Sequence, residues 1–170
     1  ENTPLFLQEL MKSHKHVAAV AQPFIDSGLS VKIPEMEVRI EADQHFEFVN
    51  QVDLFVAGVP IEVKSRDLTF SGVADYPFPD AIVDTASGYN AKTMKPFATV
   101  IVSQATGAMI AIPESSRTLG RNENTKRWAI RTKHDSKRNI DTQFLFAPKA
   151  CIIEFAELVK RLKERDLGTA

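Results

Sequence analysis

The chain has 170 residues, of which 44% are hydrophobic and 25% charged, with a net charge of −1. That is room for one domain with a sizeable core, and the near-neutral balance leaves nucleic-acid binding to local charge alone. A lone cysteine, Cys151, excludes an intramolecular disulfide and a cysteine-rich zinc site and fits a reducing, cytoplasmic setting; no run approaches the ~20 apolar residues of a membrane span.

No signal peptide, repeat or low-complexity segment is visible, and the start at Glu1 rather than Met points to residues removed ahead of it. Residues 4–22 read as an amphipathic helix, with Thr3 as its cap and Pro4 in its first turn. Leu7, Leu10, Met11, His14, Ala18 and Ala21 share one face, Pro23 is expected to kink or end the helix, and Gly28 closes the segment. His14 and His16 are two apart, so they lie on different faces and form no metal pair. Residues 31–33 and 36–41 read as strand, with Met36, Val38 and Ile40 alternating against Glu37, Arg39 and Glu41; residues 45–49 lead into the next element.

That element is Gln51 to Lys64, two short strands around a tight turn. Val52, Leu54 and Val56 alternate with Gln51, Asp53 and Phe55; Ile61 and Val63 alternate with Glu62 and Lys64. If Ala57 and Gly58 alone form the loop, Asp53 lies opposite Glu62 and Gln51 opposite Lys64; if Ala57 to Pro60 form it, Asp53 lies opposite Lys64. Either register gathers Asp53, Glu62 and Lys64 on one face and the aliphatic residues on the other. Two converging carboxylates repel and stay ionised only beside positive charge. A divalent cation such as Mg²⁺ supplies it, taking one or two carboxylates plus water and phosphate oxygens. A lysine on that face can orient an attacking water or stabilise charge building up on a phosphoryl group. The stretch therefore reads as a small metal-dependent phosphodiester-cleaving centre.

Asp53, eight intervening residues and then Glu62-Val63-Lys64 closing an aliphatic strand resemble the PD-(D/E)XK nuclease superfamily. Val52 stands where the name-giving proline often does, and the likeness spans roughly a tenth of the chain. The resemblance implies an α/β fold with a three-layer restriction-endonuclease-like core, a mixed central β-sheet flanked by helices. It implies Mg²⁺, with Mn²⁺ able to substitute, held by Asp53, Glu62 and the Val63 carbonyl, with Lys64 assisting the attacking water. Gln51 shares that face. Members often bring a further acid from the first helix, which makes Glu9 a candidate outer ligand beside Glu37 and Glu41. A solvated surface Glu62–Lys64 pair is the plainer alternative.

Beyond Lys64, Asp80 is expected to cap a helix over 81–92, with Ile82, Val83, Ala86 and Tyr89 apolar and Asp84, Ser87, Asn90 and Lys92 on the polar side. The superfamily places a helix here, so Lys92 or Tyr89 could touch phosphate, while Asp75, Asp80 and Asp84 read as caps and surface. Residues 98–103 form a nearly continuous apolar strand, as at a sheet centre buried on both faces, and residues 108–112 form another, stopped by Pro113.

Residues 114–139 carry eight Lys and Arg against three Asp and Glu, a local +5. A short strand at 128–132 is expected among loops, with Trp128 anchored in the core. Arg117, Arg121, Lys126, Arg127 and Arg131 are the candidate contacts to a DNA backbone. Residues 143–146 read as strand and 149–165 as a helix opened by Pro148, with Ile152, Phe155, Ala156, Val159 and Leu162 as its buried stripe; Cys151 reads as a packed small hydrophobe.

The whole chain, 1–170, is thus expected to be one nuclease-like domain acting on DNA as a Mg²⁺-dependent endonuclease, with no membrane partner. Cutting both strands calls for two centres, which points to a homodimer. So short a chain leaves little room for a separate target-recognition domain. Two other readings stand beside it: a non-catalytic DNA-binding module of the same fold, and an unrelated α/β interaction protein.

Overall fold

The computed structural model describes the backbone of residues 5–34, 38–40, 46–48, 52–119, 122–136 and 139–168, and the side chains of 15–34, 52–118, 127–136 and 139–168. In chain order these form α1 (Leu5–Asp26), β1 (Val31–Lys32), β2 (Val38–Ile40), β3 (Phe46–Phe48), β4 (Leu54–Val56), β5 (Val59–Arg66), β6 (Asp80–Thr85), α2 (Ala86–Ala91), β7 (Ala98–Ser103), β8 (Met109–Pro113), β9 (Thr118–Leu119), β10 (Asn122–Lys126), β11 (Ala129–Asp135), β12 (Ile140–Pro148), β13 (Ile153–Glu154) and α3 (Phe155–Gly168).

The protein is mixed α/β, built on a mixed six-stranded sheet in the order β1-β4-β5-β7-β8-β13. Only β5 and β7 run parallel; the other neighbours are antiparallel. A parallel pair needs a long crossover, and here residues 67–97 supply it, carrying β6 and α2. β7 is buried along its whole length, as its unbroken apolar run requires. One face of the sheet, with Leu54, Ile61, Val63, Val100 and Val102, packs with Val17, Val20 and Phe24 of α1 and Leu158 and Leu162 of α3. The other face, with Ile101, Ile110 and Ile112, packs with Val83, Tyr89, Trp128 and Leu145. A second, antiparallel sheet in the order β11-β12-β6 supplies much of that layer, where a longer helix was expected.

Several elements differ from the sequence expectation. Helix α1 runs through Pro23 to Asp26. Proline removes one backbone donor, but the continued helix buries Phe24 fully and sets its ring 4.8 Å from that of Phe155. The helix then ends in a Schellman turn: the Leu29 N–H reaches the Phe24 carbonyl, the Gly28 N–H reaches Ile25, and Gly28 has φ +84°. Ala18, placed on the buried face by spacing, is exposed. The last helix starts at Phe155 and not at 149, because Ile153 and Glu154 first add an edge strand to β8. Ile152 is buried ahead of the helix, Leu158 and Leu162 form its fully buried stripe, and Ala156 is exposed. The strand expected at 143–146 extends over Ile140–Pro148, and that at 128–132 becomes Ala129–Asp135. Trp128 lies in the core, its Nε1–H donating to Ser116 Oγ at 3.2 Å and its ring edge-on to Tyr89.

The structure selects the two-residue loop. Val56 pairs with Val59, Phe55 with Pro60 and Leu54 with Ile61, leaving Ala57 and Gly58 as the turn. Both have positive φ, +48° and +78°, the mark of a type I′ turn that matches strand twist. A Cβ on Gly58 would meet nothing within 4 Å, so Gly58→Ala tests backbone conformation alone. It is expected to cost about 1–2 kcal/mol, read as a lowered thermal midpoint. Gly58→Asn, which tolerates this conformation better, should lose less; equal losses would speak against a conformational origin.

Candidate active site

The β4–β5 turn fixes the phase of both strands, so the face opposite the core carries what alternation put there. Asp53 immediately precedes β4, and its Oδ2 accepts the Val63 N–H at 2.8 Å, tying it to the strand that holds Glu62 and Lys64. Val63 itself points its side chain into the core and pairs with Val100 of β7. Glu62 is 8% exposed, an unusual position for a carboxylate without partners. Its partners are two lysines: Lys64 Nζ lies 2.9 Å from one carboxylate oxygen and Lys92 Nζ 2.9 Å from the other.

Asp84 completes the cluster. Its carboxylate lies 3.6 Å from Lys64 Nζ and 3.1 Å from Lys92 Nζ, so each lysine bridges the same two acids. Burial alone would push the Asp84 carboxyl up, yet Lys64 and Lys92 together outweigh it and hold it below the usual range. Burial likewise opposes the charge on Lys92, but Glu62 and Asp84 win and raise its pKa. Asp53 behaves in the opposite way. Burial, reinforced by the nearby Glu62 charge, pushes its carboxyl from 3.8 to about 6, against the Val63 N–H and the more distant lysines. The site thus holds one carboxylate whose charge is not balanced.

Asp84 corrects the expectation for 81–92. Residues 80–85 are strand, with Ala81 and Val83 buried, and the helix is only Ala86–Ala91. Asp80 caps nothing: it is ion-paired with Arg131. The cap is Thr85, whose Oγ1 accepts the Gly88 N–H at 3.0 Å. Asp84 is therefore neither cap nor free surface, but Asp75 does close a turn, accepting from the N–H groups of Ser71 and Gly72. Lys92, just beyond the helix, is brought into the carboxylate cluster, while Tyr89 is core, with Lys95 and Arg117 on its ring. A signal for the strand was present in Ala81 and Val83 alternating with Asp80, Ile82 and Asp84.

The other expected site residues are dispersed or undescribed. Gln51, Glu37, Glu41 and Arg121 lie outside the described residues; Glu9 lies in α1 and Lys126 in β10, but their side chains also lie outside. Among the described residues no three acidic, imidazole or thiol side chains gather as a metal-holding group. Arg127 donates its N–H to the Arg117 carbonyl at 2.8 Å, which ties together the ends of the β9–β10 hairpin. Arg131 lies over the Phe146 ring at 4.3 Å. A shallow surface groove lined by Glu62 and Lys92 is walled by Val52, Pro60, Ile61, Met94 and Pro96. No described helix is long and apolar enough to cross a membrane.

The arrangement can pair anionic oxygens with two ammonium groups, and it holds a carboxyl group whose charged form burial disfavours. No protein-family model matches the chain, and no curated protein and no solved structure is significantly similar to it.

Proposed function

We propose that the protein is a metal-dependent endonuclease that hydrolyses DNA phosphodiester bonds on a restriction-endonuclease-like core. The observation that carries this reading is the convergence of Asp53, Glu62 and Lys64 on one face of the β4–β5 hairpin, with the Asp53 carboxyl pushed up to about 6. A buried carboxylate raised by burial and by a neighbouring acid fits a divalent cation, because the cation removes the repulsion that raises it. Asp53 and Glu62, with the Val63 carbonyl, would hold Mg²⁺ or Mn²⁺, which would supply Lewis-acid stabilisation of the phosphoryl oxygens. Lys64 directs its ammonium group to Glu62 and can orient the attacking water beside it. The backbone of β5 fixes Glu62 and Lys64 in one strand, so binding a cation would require exchange of the Glu62 ion pairs and no movement of the backbone. Two copies would be needed to cut both strands of a duplex.

The test is cleavage of supercoiled plasmid, linear duplex, single strands and a four-way junction, with Mg²⁺, Mn²⁺ or EDTA, beside Glu62→Ala. Metal-dependent cutting that the variant loses is expected. One observation favours a second reading, a non-catalytic DNA-binding module: both Glu62 oxygens are already taken by lysines. That reading predicts DNA binding with no cutting under any of these conditions.

A further inference from the structure

The face of β5 that carries Glu62 and Lys64 carries one more residue at the same alternation, Arg66, the last of the strand. Its backbone is held by pairing with Ser103 of β7, and its carbonyl accepts the Gln104 N–H at 3.0 Å. Its side chain is half-buried near Tyr76 and Asp84. Lys64 and Lys92 each contact two carboxylates, whereas the Arg66 guanidinium makes no hydrogen bond or ion pair with another described residue. Burial pulls its pKa down, and the nearby Tyr76 and Asp84 offset that only in part. An arginine keeps its charge under such burial, so a partly desolvated fork of donors lies near Asp84, at the edge of the cluster.

We propose that Arg66 is a phosphate-binding residue, gripping a DNA phosphate neighbouring the bond to be cut. Arg66 and Lys64 are two residues apart on one strand, about 7 Å, and a nucleic-acid strand presents a charge at every nucleotide. The guanidinium matches a phosphodiester's two free oxygens with parallel donors, which an ammonium group does not. The two lysines are ion-paired with Glu62 and Asp84, whereas Arg66 has no hydrogen bond or ion pair to a described residue that a phosphate would have to displace. The assignment rests on the nuclease reading for its substrate, but binding tests it separately from cutting.

The experiment measures binding of the full chain to a labelled duplex oligonucleotide in EDTA across a potassium chloride series. Wild type is compared with Arg66→Met, Arg66→Lys and Lys160→Met, the last an exposed charge on α3. Loss of one phosphate contact lowers the slope of log affinity against log salt by about 0.9. Arg66→Met should show that decrease with roughly tenfold weaker binding. Arg66→Lys should keep the slope but lose affinity several-fold, and Lys160→Met should match wild type. An unchanged slope in Arg66→Met, wild-type affinity in Arg66→Lys, or a wild-type protein that binds no duplex each overturns the assignment. Should Arg66→Met fail to fold, the Arg66→Lys comparison decides alone. Cleavage of the same variants with Mg²⁺ is scored independently. Cutting with an unchanged slope removes Arg66 and leaves the nuclease; a changed slope without cutting leaves Arg66 on a binding module.

Discussion

Asp53→Asn is expected to abolish cleavage and, at pH 7.5, to make the protein more stable. The Asp53 carboxyl has a folded pKa of about 6 against an ordinary 3.8. Between those values the folded protein binds a proton that the unfolded chain has released. Stability therefore falls as pH rises from about 4 to about 6, and the full penalty persists above 6. A shift of this size corresponds to about 3 kcal/mol; partial exposure reduces that to about 1–2 kcal/mol. Asparagine keeps an acceptor for the Val63 N–H and removes the charge. The thermal midpoint at pH 7.5 should rise by several degrees, since each kcal/mol moves a chain of this size about 2–4 °C. The gain should vanish below pH 4. Calorimetry at pH 3.5 and 7.5, beside a cleavage assay, checks both halves. An active variant, or one less stable at pH 7.5, would sink the assignment.

Lys92→Met is expected to destabilise the fold strongly. The lysine side chain is 10% exposed and bridges Glu62 and Asp84, themselves at 10% and 14%. Removing one partner from buried ion pairs leaves Glu62 and Asp84 with Lys64 as their one ion-paired cation among the described residues, a loss of about 3–5 kcal/mol. The midpoint should fall by roughly 10 °C or more. Combining it with Asp84→Asn should recover much of the loss, because the surplus charge leaves with its partner. A double variant whose losses merely add would show that the two residues are not coupled. Denaturant unfolding of the two single variants and the double measures this coupling.

The β4–β5 hairpin was legible because one face is buried, and burial makes a two-residue alternation unmistakable. Its register was not, since two- and four-residue loops keep the same phase; the positive φ of Ala57, at a position better suited to Asn, decides it. Asp84 was missed for a different reason. Ile82, Val83, Ala86 and Tyr89 fit a helical spacing across the boundary between β6 and α2, and pairing with β12 makes the first half strand. Tertiary pairing overrides local pattern in the same way at Ile153–Glu154, where the edge of β8 claims residues that read as helix. The crossover is where spacing along the chain says least about position in space. It brings Lys92 to a carboxylate thirty residues before it.

The second sheet ends in β11, which has β12 on one side and no strand paired to its other edge among the described residues. Such an edge is a template for association between copies, and Ile130 on it is 55% exposed. Lys133 and Asp135 alternate along the same strand, placing charge beside that edge. Charge on a free strand edge disfavours pairing between copies, so Lys133, part of the local positive excess, works against that pairing whatever the strand binds.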